Sequence, residues 1–263
     1  MVEELLIFSF LGIFAGLIAG MFGIGGGIII VPVLVTSFIS LGFQDEIIVH
    51  LAIGSSMASI FFTGIASANA HRKKNAINYN MMKPVVFGII FGALLGAFFA
   101  LQLEGAILKI IIGSFVILVA IQIGFDIEFK NKSDKPKNIQ SYFAGSGIGF
   151  LSSILGIGGG IFSVPYFKGS GLSLTSSVGT SAACGIPIAF FGALGYVFMG
   201  MSNNSLPSLS YGYIYIPAVF GISITSVFAA QFGARLAHFV STVTLKRLML
   251  SLMITIAIYM IAI

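Results

Sequence analysis

The chain has 263 residues, 57% of them hydrophobic and 8% charged, and a formal net charge of +5. A soluble domain carries roughly 25% charged residues, so this chain lacks the polar side chains to cover a water-facing surface. Its basic excess does not point to nucleic acid, because the Lys and Arg residues sit in short segments between apolar runs and form no continuous patch.

The first apolar run covers 5–22 and follows Met1-Val2-Glu3-Glu4. A signal peptide opens on basic residues, so this run is expected to stay as a span. The next runs are 24–40, 47–70, 84–101 and 105–125. Residues 126–140 are the most polar stretch and read as a cytoplasmic linker. After it come 141–155, 157–167, 175–200, 211–234 and 247–263. A helix of about 18 or more apolar residues crosses a hydrocarbon core about 30 Å thick. The fold class is therefore an all-α integral membrane protein, with the lipid bilayer as its surroundings. At 1.5 Å per residue, 157–167 reaches only about 16 Å, so a discontinuous half-helix is expected there.

The chain repeats itself. Residues 23–32 read Gly-Ile-Gly-Gly-Gly-Ile-Ile-Ile-Val-Pro, and 156–165 read Gly-Ile-Gly-Gly-Gly-Ile-Phe-Ser-Val-Pro, with eight of ten positions identical at an offset of 133. Pro84 and Pro217 share that offset, as do Gly88 and Gly221, while Gly54-Ser55-Ser56 and Gly179-Thr180-Ser181 match at 125. The expected organisation is a first repeat over 1–125, the linker, and a second repeat over 141–263.

Charge then sets the topology. If the glycine segments do not reverse the chain, Lys and Arg divide eight against five between the two sides. If each does reverse it, Arg72, Lys73, Lys74, Lys83, Lys130, Lys132, Lys135, Lys137, Lys168, Arg235, Lys246 and Arg247 fall on one side and only Lys109 on the other. Positive residues mark the cytoplasmic side, so each repeat has about five segments, whether the glycine segments fully cross or re-enter. An odd count makes the repeats inverted and puts both termini outside.

Gly-Ile-Gly-Gly-Gly is costly in a bilayer, since each glycine weakens a helix by about 1 kcal/mol relative to alanine. A helix restarting after it presents free N–H groups and the positive end of its dipole, which together suit an anion. The candidate ligands are the backbones of Gly23, Gly25, Gly26 and Gly27 and of Gly156, Gly158, Gly159 and Gly160. The hydroxyls of Ser55, Ser56, Thr180 and Ser181 join them, because a hydroxyl donates to an anion without a charge of its own. Asn69, Cys184 and Gln231 are secondary candidates, with packing as the competing role for each. Pro32 and Pro165 are expected to break or kink the helix again. The sets Gly12/Gly16/Gly20 and Gly88/Gly92/Gly96 read as helix-packing seams.

Several classes are disfavoured. The glycine segment lacks the Lys-Ser/Thr of a nucleotide-phosphate loop. One cysteine, Cys184, allows no internal disulfide, and His50, His71 and His238 show no ligand spacing, so no metal or cofactor is expected. No acidic residue lies mid-span, which disfavours a cation pump. No acid–base constellation points to an enzyme.

The paired Gly-Ile-Gly-Gly-Gly…Val-Pro segments, the Gly-Ser/Thr-Ser segments and the basic run His71-Arg72-Lys73-Lys74 resemble those of the TauE/SafE sulfite exporter (TSUP) family over nearly the whole chain. The resemblance implies a cytoplasmic-membrane transporter of a sulfur-containing anion such as sulfite, thiosulfate or an organosulfonate. Ser55 stands where that family usually has Thr. A passive anion channel, or a carrier of another small anion such as a carboxylate, is the alternative reading. A coupling proton or sodium ion, and the oligomeric state, stay open.

Overall fold

The computed structural model describes residues 2–22, 27–125, 136–237 and 239–262. Among these it is all helical, apart from one isolated bridge between Ser210 and Tyr215. Ten helices follow the ten apolar runs: α1 Val2–Phe22, α2 Gly27–Ser40, α3 Asp45–Lys73, α4 Tyr79–Ala100, α5 Gly105–Gly124, α6 Asn138–Leu155, α7 Gly160–Gly169, α8 Leu174–Gly200, α9 Ile216–Ala237 and α10 Thr242–Ala262. Six of them (α3, α4, α5, α8, α9 and α10) are long and apolar enough to cross a membrane. Gly23, Gly25 and Gly26 lie outside the described residues, as does most of the linker.

Local chemistry places the helix ends. Asp45 and Glu46 open α3 while His71, Arg72 and Lys73 close it, which complements the helix dipole at both ends. Asn78 caps α4 by accepting from the Met81 N–H at 3.1 Å, and Ser173 caps α8 through the Ser176 N–H at 3.3 Å. α2 and α7 have 14 and 10 residues, or about 21 and 15 Å, so both are half-helices. Of the break or kink expected at the prolines, a break does not occur: α2 runs through Pro32 to Ser40 and α7 through Pro165 to Gly169. Each proline is the sixth residue of its helix, so it removes one backbone bond within a short segment whose flanks still pair.

The two halves, α1–α5 and α6–α10, exchange partners. α1 packs along α9, and α4 along α6. These are equivalent pairings once the halves are swapped, and glycines make both close. A Cβ on Gly16 would lie 2.6 Å from the Ser226 carbonyl oxygen, and one on Gly149 would lie 2.6 Å from that of Ile89. The Gly12/Gly16 and Gly88/Gly92/Gly96 sets therefore are packing seams, with Gly92 against Ser146 and Gly96 against Phe150. α3 and α8 cross at the centre. Met57 meets Gly192, Phe61 meets Phe190 and Gly64 meets Ile186, so these repeat-equivalent helices run antiparallel. α5 and α10 do the same, with Gly113 at Ile261 and Gly124 at Leu250.

The two ends of the bundle differ. One gathers Glu4, Phe43, His50, Leu103 and the 201–215 connection, through contacts such as His50 Nε2 to the Leu103 carbonyl at 3.1 Å. The other gathers the 74–78 loop, the start of α8 and the Ser141–Tyr166 pair. Arg72, Lys73, Lys74, Lys83, Lys137 and Lys168 belong to this second, basic end.

Candidate functional site

The second glycine segment turns within the core, and Gly27 of the first lies against it. α6 ends on Gly156 in the left-handed conformation (φ 67°), with its N–H bonded to the Ser152 carbonyl. The Ile157 N–H returns to the same carbonyl at 3.0 Å. Gly159, again left-handed (φ 74°), then starts α7. Two left-handed residues within four positions let the chain reverse, and only glycine adopts that conformation without strain. Gly27, the first residue of α2, abuts this turn: a Cβ on it would lie 2.6 Å from the Ile157 Cα and 2.8 Å from the Gly156 carbonyl oxygen.

At the α7 start, the Gly159 carbonyl accepts from the N–H groups of Phe162 and Ser163 at 3.0 and 2.9 Å. The N–H groups of Gly158, Gly159, Gly160 and Ile161 have no acceptor among the described residues. Gly158 and Gly160 are half-buried, while Gly156 and Gly159 are buried.

The hydroxyls proposed from sequence divide into two pairs. Ser56 Oγ donates to the Gly156 carbonyl at 2.8 Å, which ties α3 to the turn of the other half. Ser163 Oγ donates to the Gly159 carbonyl at 2.8 Å. Its 2.6 Å contact with Ser181 Oγ therefore has Ser181 as donor. Ser56 and Ser181 thus brace the glycine turn, with their protons engaged by protein acceptors. Ser55 and Thr180 behave differently. Ser55 Oγ accepts the Tyr215 N–H at 2.9 Å, and Thr180 Oγ1 accepts the Asn78 N–H at 2.9 Å. Each therefore holds a connecting loop, and both side chains are fully buried.

Cys184 is buried on α8, one turn beyond Thr180. Its neighbour Gly185 faces the Gly158 carbonyl, 3.2 Å from a Cβ built there. Asn69 and Gln231 are exposed and do not join the cluster.

Two residues of the cluster were not among the sequence candidates, Ser152 and Ser163. Among the described residues, buried Ser152 Oγ has no hydrogen-bond partner, and it lies 3.1 Å from a Cβ built on Gly159, beside the N–H groups of the α7 start. Ser153 Oγ next to it is also unpartnered, while the Ser153 carbonyl accepts from Tyr196 Oη at 3.2 Å. The repeat itself held a signal for both. Ser163 fills one of the two positions at which the decamers differ, and Ser152-Ser153 replace Ala19-Gly20 of the first copy. The described polar cluster is therefore one-sided. Its counterpart on α2 is Ile28-Ile29-Ile30, all buried.

Among the described residues, no group of three or more His, Cys, Asp or Glu residues is placed to hold a metal ion.

The sequence matches the family model described as "Sulfite exporter TauE/SafE" over residues 8–260. It is 34% identical over 250 residues to a Haemophilus influenzae protein named a probable membrane transporter protein, covering 95% of each chain. It is 26% identical over 251 residues to a similarly named protein of Methanocaldococcus jannaschii, covering 95% of this chain and 92% of the relative. A third, YunE of Bacillus subtilis, is 31% identical over 176 residues, covering 59% and 64% respectively. No solved structure matches. A chain of apolar spanning helices that meet at a glycine turn, matched along nearly all its length, belongs to the TauE/SafE sulfite exporter family of membrane transporters.

Proposed function

We propose that this protein is a secondary transporter of a small sulfur-containing oxyanion or organosulfonate across the cytoplasmic membrane. The observation that carries the reading is the start of α7. Four successive N–H groups, of Gly158 to Ile161, lack a protein acceptor among the described residues, and the buried, unpartnered Ser152 hydroxyl stands beside them. The first N–H groups of a helix have no partner within it, and such a start with its positive dipole end favours an anion. In this reading the oxyanion lies on the amides of Gly158, Gly159, Gly160 and Ile161 and on Ser152. Ser56 and Ser181 brace the turn, and Gly27 abuts it from the other half. Donors without formal charge suit a substrate that must also leave.

The halves are read as inverted repeats. The support is that α3 and α8, equivalent by sequence, and α5 and α10, equivalent by their order in the two halves, run antiparallel. With the basic end in the cytoplasm, both termini lie outside, and one half rocks against the other during transport.

The test uses purified protein in liposomes, with uptake of sulfite, thiosulfate, sulfate and a sulfonate measured with and without a proton or sodium gradient. Saturable, gradient-driven uptake of at least one sulfur anion is expected. Flux that rises linearly with concentration makes the protein a channel, and uptake of none of them overturns the substrate class.

A further inference from the structure

The two Gly-Ser/Thr-Ser segments do the same thing to two different loops. At α3, Gly54 abuts the Tyr213 carbonyl and Ser55 accepts the Tyr215 N–H. At α8, Gly179 abuts the Ala76 carbonyl, 2.6 Å from a Cβ built there, and Thr180 accepts the Asn78 N–H. In both cases the carbonyl lies two residues before the N–H. The glycine lets the loop backbone reach the helix, and the next side chain receives its free N–H. Ser55 lies about 15 Å into α3 and Thr180 about 9 Å into α8, counted from each helix start. The loops therefore pack against the flanks of these helices and not at their tips, and on those flanks an unpaired backbone N–H is costly and a hydroxyl acceptor matters.

The loops enter from opposite ends of the bundle. The Tyr213–Tyr215 loop belongs to the end that gathers Glu4, Phe43 and His50. It is sealed by rings of Phe8, Phe38, Phe43 and Tyr215 at centroid distances of 5.3–5.9 Å, and Tyr215 Oη donates to Glu4 at 2.9 Å. The Ala76–Asn78 loop belongs to the basic end. A pocket of about 130 Å³ lined by Arg72, Asn75, Ile77 and Tyr79 adjoins it. The glycine turn lies between the two loops: Ser56 and Ser181, the next residues along each helix, reach Gly156 and Ser163.

We propose that Ser55 and Thr180 are the latches of two gates, one at each end, each holding shut a connecting loop of the opposite half. This rests on the transport reading and assigns its alternating access to named residues. Ser55 and Thr180 then act on the path to the substrate, not on the substrate. The role also explains why serine serves in one copy and threonine in the other, since either hydroxyl accepts one N–H.

The single native cysteine supplies the probe. Cys184 is buried on α8 one turn beyond the latch Thr180, and its neighbour Gly185 faces the Gly158 carbonyl. Its rate of reaction with a membrane-impermeant maleimide is measured in right-side-out and in inverted vesicles. Thr180→Val is expected to raise the rate from the basic face by about fivefold to tenfold, the weight of one hydrogen bond near 1 kcal/mol. Ser55→Ala is expected to raise it only from the opposite face. Thr180→Ser and Ser55→Thr are expected to keep the wild-type rates, and Thr180→Ala replaces the valine variant should that fail to fold. Unchanged labelling in both variants, or an equal rise from both faces, overturns the proposal. Labelling requires no substrate, so its result stands apart from any failure of the sulfur-anion assignment.

Discussion

Replacing Gly159 with alanine puts the glycine turn under direct strain. Gly159 has φ 74°, and a side chain in that left-handed region costs roughly 1–2 kcal/mol. The new methyl group would also collide with Ile188 Cδ1 and lie 3.1 Å from Ser152 Oγ, adding overpacking of about 1–3 kcal/mol. The total, about 2–5 kcal/mol, leaves a typically stable protein folded. If only 1.4 kcal/mol of it falls on the substrate-bound arrangement, affinity drops about tenfold. The comparison is Gly42→Ala. Gly42 has φ 73° with nothing within 4 Å of its Cβ position, so it carries the conformational cost without the collision. The assay is sulfur-anion uptake in proteoliposomes, paired with thermal unfolding in detergent. Gly159→Ala is expected to lose at least about 90% of uptake at low substrate while still melting cooperatively, and Gly42→Ala to keep wild-type uptake at slightly reduced stability. Wild-type uptake by Gly159→Ala would refute the placement of the anion at this turn.

Three further outcomes follow from the same geometry. Ser152→Ala removes a buried, unpartnered hydroxyl, so the melting temperature should hold or rise. The KM for the anion should rise about fivefold to tenfold if that hydroxyl is a substrate ligand; a lowered melting temperature with unchanged KM assigns it to packing. Gly92→Ala drives a methyl group into the Ser146 backbone of α6 and should destabilise by about 1–3 kcal/mol; Gly147→Ala, with open space around its Cβ, should be silent in the same unfolding assay. A cysteine at Asn204, in a Cys184→Ala background, should react with an impermeant thiol reagent from outside intact cells, and one at Lys74 only after the membrane is opened. Reaction of both from the same side contradicts the inverted arrangement.

The amino-acid sequence determined what depends on local composition and on duplication. Hydropathy marked all ten helices among the described residues, with ends within a few residues of those in the structure, because helices buried in a bilayer must be apolar along their length. The offset decamers marked the two short helices, α2 and α7, and charge marked one basic end. Composition and spacing do not show which hydroxyl is free. Ser55, Ser56, Thr180 and Ser181 look alike as polar residues within apolar runs. The tertiary structure separated them through partners far away in the chain: Ser55 with Tyr215, Ser56 with Gly156 and Thr180 with Asn78. It also brought forward Ser152 and Ser163, which hydropathy hides inside apolar helices. A hydroxyl's role depends on whether the fold makes it a donor, as in Ser56, or an acceptor, as in Ser55 and Thr180, and these roles are assigned by contacts that only the packed halves bring together.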